Sequence, residues 1–161
     1  MAKEIRIGQG FDVHAFGPGD QIMLGGIAIP FNRGFVAHSD GDVLLHALTD
    51  ALLGAAGLGD IGQWFPDTDD QYKNADSAVL LTTVWRAICD RGWQLGNADM
   101  TIITQRPKLS PYREDIRQNI ARILNVRAEL IGLKATTTES LGFVGREEGV
   151  ASQAVVLLVR I

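Results

Sequence analysis

An apolar helix interrupted by polar residues at four-residue intervals is the feature that most constrains this sequence. Residues 43–56 are mostly leucine and alanine, a composition typical of a buried helix. Asp42, His46 and Asp50 are each four residues apart, so they lie on one helical face. A buried polar side chain without a partner costs about 1–3 kcal/mol. His46 therefore requires a partner, either a metal ion or a hydrogen-bonded carboxylate.

The residues before this helix carry a capping signal. Ser39 is followed three residues later by Asp42, which is the spacing of a capping box with Asp in place of Glu or Gln. We expect Ser39 to satisfy a backbone N–H of the first turn, and we expect the early acidic residues to suit the helix dipole.

Length and composition exclude several classes of protein. The 161 residues fit one domain, which we expect to cover residues 1–161. No apolar run approaches the roughly 18 residues of a membrane span, and the N-terminus lacks a signal-peptide pattern. The single cysteine, Cys89, excludes an internal disulfide framework and suits a reducing compartment, so we expect a cytoplasmic protein without a membrane partner. The net charge of −4 argues against general nucleic-acid binding.

The charges are unevenly distributed along the chain. Between Arg33 and Lys73 the sequence has seven aspartates and no Lys or Arg, whereas residues 106–127 are predominantly basic. An acidic half can hold cations and a basic segment can meet phosphates or carboxylates. A solvated surface remains the alternative for each. The seven aspartates are Asp40, Asp42, Asp50, Asp60, Asp67, Asp69 and Asp70.

Strands alternate with helices along the chain. We expect an α/β fold of the α+β sandwich type, with a mixed sheet of at least four strands packed on three principal helices. The last strand is nearly continuous in apolar residues, which predicts burial on both faces by helices or by a neighbouring subunit. The expected strands are 4–14, a hairpin at 22–29 with its turn at Gly25-Gly26, 99–104, 130–137 and 151–160. The expected helices are 43–56, 76–91 and one that begins at Ser110-Pro111, and residues 15–21 are expected to form a turn.

Candidate metal ligands come from the first strand and the first helix. Asp12 and His14 are two residues apart, so on a strand their side chains leave the same face. With His46 they would form a nitrogen and oxygen donor set typical of a catalytic zinc, although manganese or iron would also fit. The nearby glycines, Gly8 and Gly10, permit a bulge or the close approach of another group.

Two further segments could bind phosphate. His38, which precedes the first helix, is expected to be a phosphate contact or an orienting group, with an exposed loop histidine as the alternative. Residues 134–139 and 142–149 supply hydroxyl and cationic groups that suit phosphate oxygens, and Glu139 could hold a hard cation such as Mg²⁺. A threonine-rich strand with a capping glutamate is the alternative for this second cluster.

Seven motifs in this order closely resemble the 2-C-methyl-D-erythritol 2,4-cyclodiphosphate synthase family. They are Asp12-Val-His14, His38-Ser-Asp-Gly-Asp42, His46-Ala-Leu-Thr-Asp-Ala-Leu52, Gly59-Asp-Ile-Gly62, Phe65-Pro-Asp-Thr-Asp69, Pro107-Lys108 and Lys134-Ala-Thr-Thr-Thr-Glu139. The resemblance covers essentially the whole chain. It implies a phosphorus–oxygen lyase of the non-mevalonate isoprenoid pathway that converts 4-diphosphocytidyl-2-C-methyl-D-erythritol 2-phosphate into the cyclodiphosphate and CMP. It also implies a homotrimer with active sites between subunits, and the length implies the synthase without a fused cytidylyltransferase domain.

The resemblance also implies roles for individual residues. Asp12, His14 and His46 match the zinc ligands, and Glu139 matches the ligand of a second divalent ion, Mg²⁺ or Mn²⁺. His38 and Thr137 match the groups that stabilise the transition state. The positions that match substrate contacts are Asp12, Val13, His14, His38, Ser39, Asp60, Ile61, Gly62, Phe65, Pro66, Asp67, Thr68, Asp69, Thr104, Gln105, Arg106, Pro107, Lys108, Leu109, Ser110, Thr136, Thr137, Thr138, Glu139, Phe143 and Arg146.

Three positions depart from the family pattern. Thr104 and Arg106 stand where the family often has alanine, and Glu147 stands where glycine is common. Two other functional classes would use the same groups. A zinc-dependent phosphohydrolase would activate water and release a linear product, and a non-catalytic cytidine nucleotide-binding module would leave its ligand unchanged.

Overall fold

Seven strands and five helices form the part of the chain described by the structure, a computed structural model covering residues 3–160. The strands are β1 (Glu4–Gly17), β2 (Gln21–Leu24), β3 (Ile27–Pro30), β4 (Gly34–Val36), β5 (Gln94–Ile103), β6 (Ile131–Thr136) and β7 (Gly149–Arg160). The helices are α1 (Val43–Ala56), α2 (Ile61–Trp64), α3 (Ser77–Cys89), α4 (Arg113–Leu124) and α5 (Gly142–Gly145). Short 3₁₀ turns occupy Asp70–Tyr72 and Ala128–Leu130.

Five of the strands form one mixed sheet in the order β4-β1-β7-β5-β6. Only the β5–β6 pair is parallel, and the neighbours β1–β4, β1–β7 and β5–β7 are antiparallel. The remaining strands, β2 and β3, form a separate hairpin with Gly25 and Gly26 at its turn. The expected mixed sheet with three principal helices is therefore confirmed.

Helix α1 lies directly against the backbone of β1, because β1 has glycines at the contact. A Cβ atom on Gly8 would lie 1.9 Å from the carbonyl oxygen of Ala51, and one on Gly10 would lie 1.9 Å from that of Ala47. Any larger residue would push the helix away from the sheet. The close approach that the sequence allowed is confirmed, and it brings the middle of α1 next to the residues that follow Gly10.

The opposite face of the sheet is open. The helices cover one face of the sheet only, so of the two covers expected for β7 the neighbouring subunit stays a prediction. Val155 on β7 is 48% exposed, and Ile7 on the neighbouring β1 is 71% exposed. Ile5, Phe11 and Val13 share this face of β1 and are also exposed. Residues 3–160 therefore present an apolar sheet surface that none of their own elements covers.

Three expectations about element boundaries are wrong. Ser39 does not cap α1; the cap is Asp42, and the Ser39 hydroxyl accepts from the Gly41 N–H instead. Helix α4 begins at Arg113 rather than at Ser110-Pro111, because residues 109–112 close a tight turn first. Strand β1 continues through the predicted turn to Gly17, because β4 pairs with its end.

Asp42 joins the hairpin to α1. Its buried carboxylate accepts hydrogen bonds from the backbone N–H groups of Leu45, Gly25 and Gly26 at 3.0, 2.9 and 2.7 Å. Burial raises the pKa of Asp42 to about 6, although these three donors oppose the shift. Asp42 is therefore a structural anchor of the fold.

None of the helices within residues 3–160 has both the length and the apolar character needed to cross a membrane.

We expect Asp42→Ala to lower the free energy of unfolding by about 2–4 kcal/mol, because three backbone donors would lose their acceptor. Urea unfolding followed by circular dichroism measures this loss. The matched control is Asp76→Ala, which removes the cap of α3 and a single hydrogen bond to the Ala78 N–H, at an expected cost of about 1 kcal/mol. Equal losses in the two variants would contradict the anchoring role of Asp42.

Candidate active site and metal centre

Asp12, His14 and His46 meet where β1 passes under α1. The carboxylate oxygen Oδ2 of Asp12 lies 3.1 Å from Nδ1 of His46 and 3.3 Å from Nδ1 of His14. One potential ligand atom from each residue lies within 4.8 Å of the others. Among residues 3–160 this is the only group of three or more His, Cys, Asp or Glu side chains with that geometry. The three residues can hold a metal ion, as the sequence predicted.

The electrostatics of the triad are consistent with cation binding. Burial lowers the pKa of His14, and the nearby charge of Asp12 opposes this only in part. Burial also acts to lower the pKa of His46, but its hydrogen bond to Asp12 and the charges of Asp12, Asp42 and Asp40 together raise it. The site thus combines one carboxylate with two imidazoles in a partly buried setting. That donor set fits a divalent metal of the first transition row.

A cleft of about 350 Å³ opens beside the triad. Ten of its lining residues were expected from the sequence: Asp12, Val13, His14, His38, Ser39, His46, Ile61, Gly62, Phe65 and Asp67. Ala15, Val36, Ala37, Tyr72 and Leu80 also line it and were not anticipated. The sequence signal for Tyr72 is that it is the one tyrosine of the Asp-rich loop. Its ring packs edge-on against that of Phe65, with 5.2 Å between the ring centroids.

His38 faces this cleft with an unsatisfied nitrogen. Its Nε2 atom is buried and has no hydrogen-bond partner within residues 3–160. Buried polar atoms in proteins are nearly always paired, so such an atom at the wall of a cleft indicates a place for a ligand acceptor or donor. The prediction that His38 contacts phosphate gains support from this position.

Four other residues of the expected substrate loop lie outside the lining of the cleft. Asp60 caps α2 by accepting from the Gln63 N–H, and Asp69 accepts from the Gln71 N–H. Pro66 and Thr68 are exposed in the same loop. Asp60 and Asp69 thus shape the loop in this structure.

Of the polar stripe on α1, only His46 reaches the triad. Asp42 is used by the hairpin turn, and Asp50 accepts a hydrogen bond of 2.8 Å from the Ile61 N–H at the start of α2. Burial raises the pKa of Asp50, with the charges of Asp60 and Asp12 adding to the shift. Asp42, His46 and Asp50 do share one side of α1, but each contacts a different part of the molecule.

A second cleft of about 430 Å³ lies at the ends of β5 and β6. It is lined by Thr104, Gln105, Pro107, Lys108, Leu109, Ser110, Ala135, Thr136 and Thr137, of which all but Ala135 were expected to contact substrate. Thr104 is buried, and its hydroxyl donates to the Arg106 carbonyl at 2.6 Å, so this departure from the family pattern stabilises the loop.

Three expected members of the second site lie outside its lining. Arg106 is exposed and lies 3.9 Å from the Glu147 carboxylate, whereas the Thr138 hydroxyl donates to the Leu141 carbonyl. Glu139 is exposed in the left-handed region, with φ of 54°, and its N–H donates to the Thr137 hydroxyl. Among the described residues, Glu139 belongs to no group of three or more potential metal ligands.

The two basic residues expected in the second phosphate-binding cluster each have an ion-pair partner. Arg146 pairs with Glu148 at 3.0 Å, and Lys134 pairs with Asp99 at 2.6 Å. These two cations, expected to meet phosphate, are thus already partnered in the single chain. Phe143, the other expected contact here, is exposed on α5.

The structure shows how Glu147 is accommodated where the family commonly has glycine. Its φ is 59°, a left-handed conformation that favours glycine. Arg33 holds this residue at two points, since its guanidinium donates to the Glu147 carbonyl at 2.8 Å and to one carboxylate oxygen at 2.9 Å. The ion pair offsets the backbone strain that a non-glycine residue brings here.

The two clefts are separate in one chain. They share no lining residue. Asp12 pairs with Ser152, Ser152 with Ile102, and Ile102 with Ala135, so three strand spacings lie between the triad and the second cleft. At about 4.8 Å per spacing, the separation is roughly 14 Å.

Comparison with known proteins decides the family. Residues 5–159 match the model of the YgbB family. The chain belongs to the YgbB family. It is 62% identical to the 2-C-methyl-D-erythritol 2,4-cyclodiphosphate synthase of Histophilus somni over 97% of this chain and 96% of that one. It is also 62% identical to the synthase of Alcanivorax borkumensis over 96% of each chain. The family that the motifs indicated is confirmed, and its members are enzymes.

Solved structures of the family agree in fold. IspF of Plasmodium falciparum, determined as a CDP complex, superposes with a TM-score of 0.86 at 36% identity and covers 99% of both chains. The bifunctional IspDF of Campylobacter jejuni gives a TM-score of 0.95 at 48% identity, covering 99% of this chain and 43% of that one. The mixed sheet and its helices are thus the architecture of the family.

We expect Asp50→Ala to loosen α2, because the Ile61 N–H would lose its acceptor. Amide hydrogen exchange over residues 61–65, measured by mass spectrometry, should become roughly tenfold faster, which corresponds to about 1.4 kcal/mol of local stability. Asp67→Ala, in the same loop and exposed, serves as the control. Unchanged exchange in Asp50→Ala would show that α2 is held by other contacts.

Proposed function

We propose that the chain converts 4-diphosphocytidyl-2-C-methyl-D-erythritol 2-phosphate into 2-C-methyl-D-erythritol 2,4-cyclodiphosphate and CMP. The observation that carries this proposal is the convergence of Asp12, His14 and His46 beside a cleft lined by the family's motif residues. The membership of the family and the CDP complex of a structural neighbour support the choice of substrate. The single cysteine is consistent with a cytoplasmic enzyme.

The triad would hold zinc, since two imidazoles and one carboxylate leave a coordination position open. Glu139 would hold a second divalent ion, Mg²⁺ or Mn²⁺, whose other ligands would be substrate phosphates and water. When bound, these cations supply Lewis-acid neutralisation of phosphate charge. They also explain how a cleft walled by aspartates can accept an anionic substrate, because the metal reverses the local sign of the charge.

The reaction needs no nucleophile from the enzyme. An oxygen of the 2-phosphate forms a bond to the β-phosphorus, and the bond from that phosphorus to the bridging oxygen breaks, so that CMP leaves with the electron pair. Cys89 lies on α3, outside both clefts. The residues of the chain have to bring two anionic groups into line and screen their repulsion.

His38 and Thr137 would act on the reacting phosphates. The unpaired Nε2 of His38 is suited to a phosphate oxygen in the triad cleft. Thr137 lies in the second cleft, where its hydroxyl is exposed and accepts from the Glu139 N–H. Lys108 and the loop around it would hold the cytidine diphosphate, and Phe65 with its neighbours would enclose the methylerythritol part.

We assign the chain to a homotrimer with active sites between subunits. One substrate has to contact both clefts, yet within one chain these lie roughly 14 Å apart across the sheet. The apolar sheet face around Ile7 and Val155 also requires a cover. A neighbouring copy that packs on this face would meet both requirements.

Phosphorus NMR of the purified protein with the cytidyl substrate and Mg²⁺ tests the reaction. Two coupled cyclic-diphosphate signals with free CMP, lost after chelation, are the expected result. A linear diphosphate would identify a phosphohydrolase, and unchanged substrate would identify a binding module.

His46→Ala should lose both zinc and turnover, whereas His38→Ala should keep its zinc and slow turnover by about 10²–10³-fold. Full turnover of His46→Ala would contradict the metal centre.

We expect Ile7→Glu to break the trimer into smaller species, because it places a charge on the open apolar face. Size-exclusion chromatography with light scattering measures the molar mass. Val79→Glu is the matched control, since Val79 is 60% exposed on the outer helix α3 and lies on no such face. A wild-type monomer with full activity would refute the shared active site.

A further inference from the structure

A chain of polar contacts extends from the triad into the protein on the far side of His46. The Nε2 atom of His46 lies 2.7 Å from the hydroxyl oxygen of Ser77, at the start of α3. That hydroxyl donates to Oδ1 of Asp40, and the backbone N–H of Ser77 donates to Oδ2 at 3.1 Å. Ser77 is 1% exposed. Neither Ser77 nor Asp40 belongs to the residues assigned above to ligands or substrate.

The direction of each hydrogen bond from Asp40 through Ser77 to His46 determines which ring nitrogen of His46 carries hydrogen. The carboxylate of Asp40 acts as an acceptor in each of its contacts, from Ser77 and from the Asp42 N–H. The single hydroxyl proton of Ser77 is directed to Asp40, so its oxygen accepts from His46. His46 therefore carries hydrogen on Nε2. The Ser39 hydroxyl lies 3.2 Å from the same Nε2, a longer contact than the 2.7 Å of Ser77.

With hydrogen on Nε2, the lone pair of neutral His46 lies on Nδ1. This atom faces Oδ2 of Asp12 at 3.1 Å. Two acceptors at that distance repel each other unless a proton or a metal cation lies between them, and a metal ion that binds here takes the place of that proton. The contacts of Ser77 and Asp40 thus turn His46 so that its free lone pair points into the triad.

We propose that Ser77 and Asp40 are positioning residues that make Nδ1 of His46 the metal-ligating atom. Hydrogen-bonded partners of this kind fix the tautomer and orientation of a ligating histidine and raise its basicity. The inference rests on the proposed metal site and adds to it the part of α3 that orients one ligand. It also gives a function to Asp40 that is distinct from that of the capping Asp42.

The surrounding backbone holds its shape without the Ser77 hydroxyl. The Asp40 N–H donates to the Ala75 carbonyl at 3.1 Å, and the Asn74 N–H donates to the His38 carbonyl at 2.7 Å. The Ser77 N–H keeps its own bond to Asp40. Removing the hydroxyl therefore interrupts the relay while leaving the loop and the start of α3 connected.

The zinc affinity of Ser77→Ala tests the inference, measured on the full chain by competition with a chromophoric chelator. We expect binding about 10–100-fold weaker than in the wild type. Ser152→Ala is the matched control, since Ser152 is 0% exposed and its hydroxyl donates to the Val43 carbonyl of the same helix at 2.6 Å. That variant should bind zinc within about threefold of the wild type. Thermal unfolding of the chelated proteins shows whether each variant is folded.

Nitrogen-15 NMR of histidine-labelled protein gives a signature that loss of stability would not produce. The sequence has three histidines, which keeps the spectrum assignable. In the zinc-loaded wild type we expect a protonated Nε2 and a metal-bound Nδ1 for His46, and in chelated Ser77→Ala we expect a mixture of tautomers. Metal binding through Nε2, or unchanged zinc affinity in Ser77→Ala, would overturn the relay. A wild-type chain that binds no zinc would overturn the metal site itself.

Discussion

The close contact between α1 and β1 is the constraint on which the rest of the structure depends. Gly8 and Gly10 have no side chains, so the helix backbone lies against the strand backbone. The next two inward-facing residues of the strand, Asp12 and His14, are then directly under His46. A larger residue at either glycine would separate strand and helix, and the three ligand atoms would no longer lie within reach of one another. The metal centre is therefore a consequence of sheet packing.

The site brings together a carboxylate and two imidazoles whose neutral ring nitrogens need a proton or a metal ion between them and the carboxylate. A carboxylate and two imidazole nitrogens meet in a half-buried position, and Ser77 occupies the other nitrogen of His46. Burial of such groups is costly unless each has a partner. The hydrophobic core offsets this cost, and α1 contributes ten of its 14 residues to the buried part of the protein. The fold thus keeps three potential metal ligands together in one preformed place.

Much of this arrangement could be predicted from the sequence, because short-range patterns carry it. The strand period places Asp12 and His14 on one face, and the helix period identifies α1 with its single histidine. The turn residues Gly25 and Gly26 mark the hairpin correctly. Each of these signals depends only on neighbours within a few positions.

The remaining features depend on contacts between distant residues, which no local pattern reports. Asp42 caps α1 where Ser39 was expected, because the Asp42 carboxylate also accepts hydrogen bonds from the hairpin turn, sixteen and seventeen residues away. Ser77 resembles an ordinary first residue of a helix, and only the folded chain shows that its hydroxyl meets His46. The apolar run of β7 predicts two covered faces, but sequence does not distinguish a face covered by helices from one that another copy could cover.

We expect one zinc ion per chain, ligated by two imidazole nitrogens and a carboxylate oxygen at the contact of β1 with α1. X-ray absorption spectroscopy at the zinc edge of the zinc-loaded protein measures this most directly. A first shell of nitrogen and oxygen at about 2.0–2.2 Å, with the outer-ring scattering of two histidines, is the predicted result. A spectrum with sulfur ligation, or with no histidine in the first shell, would contradict it.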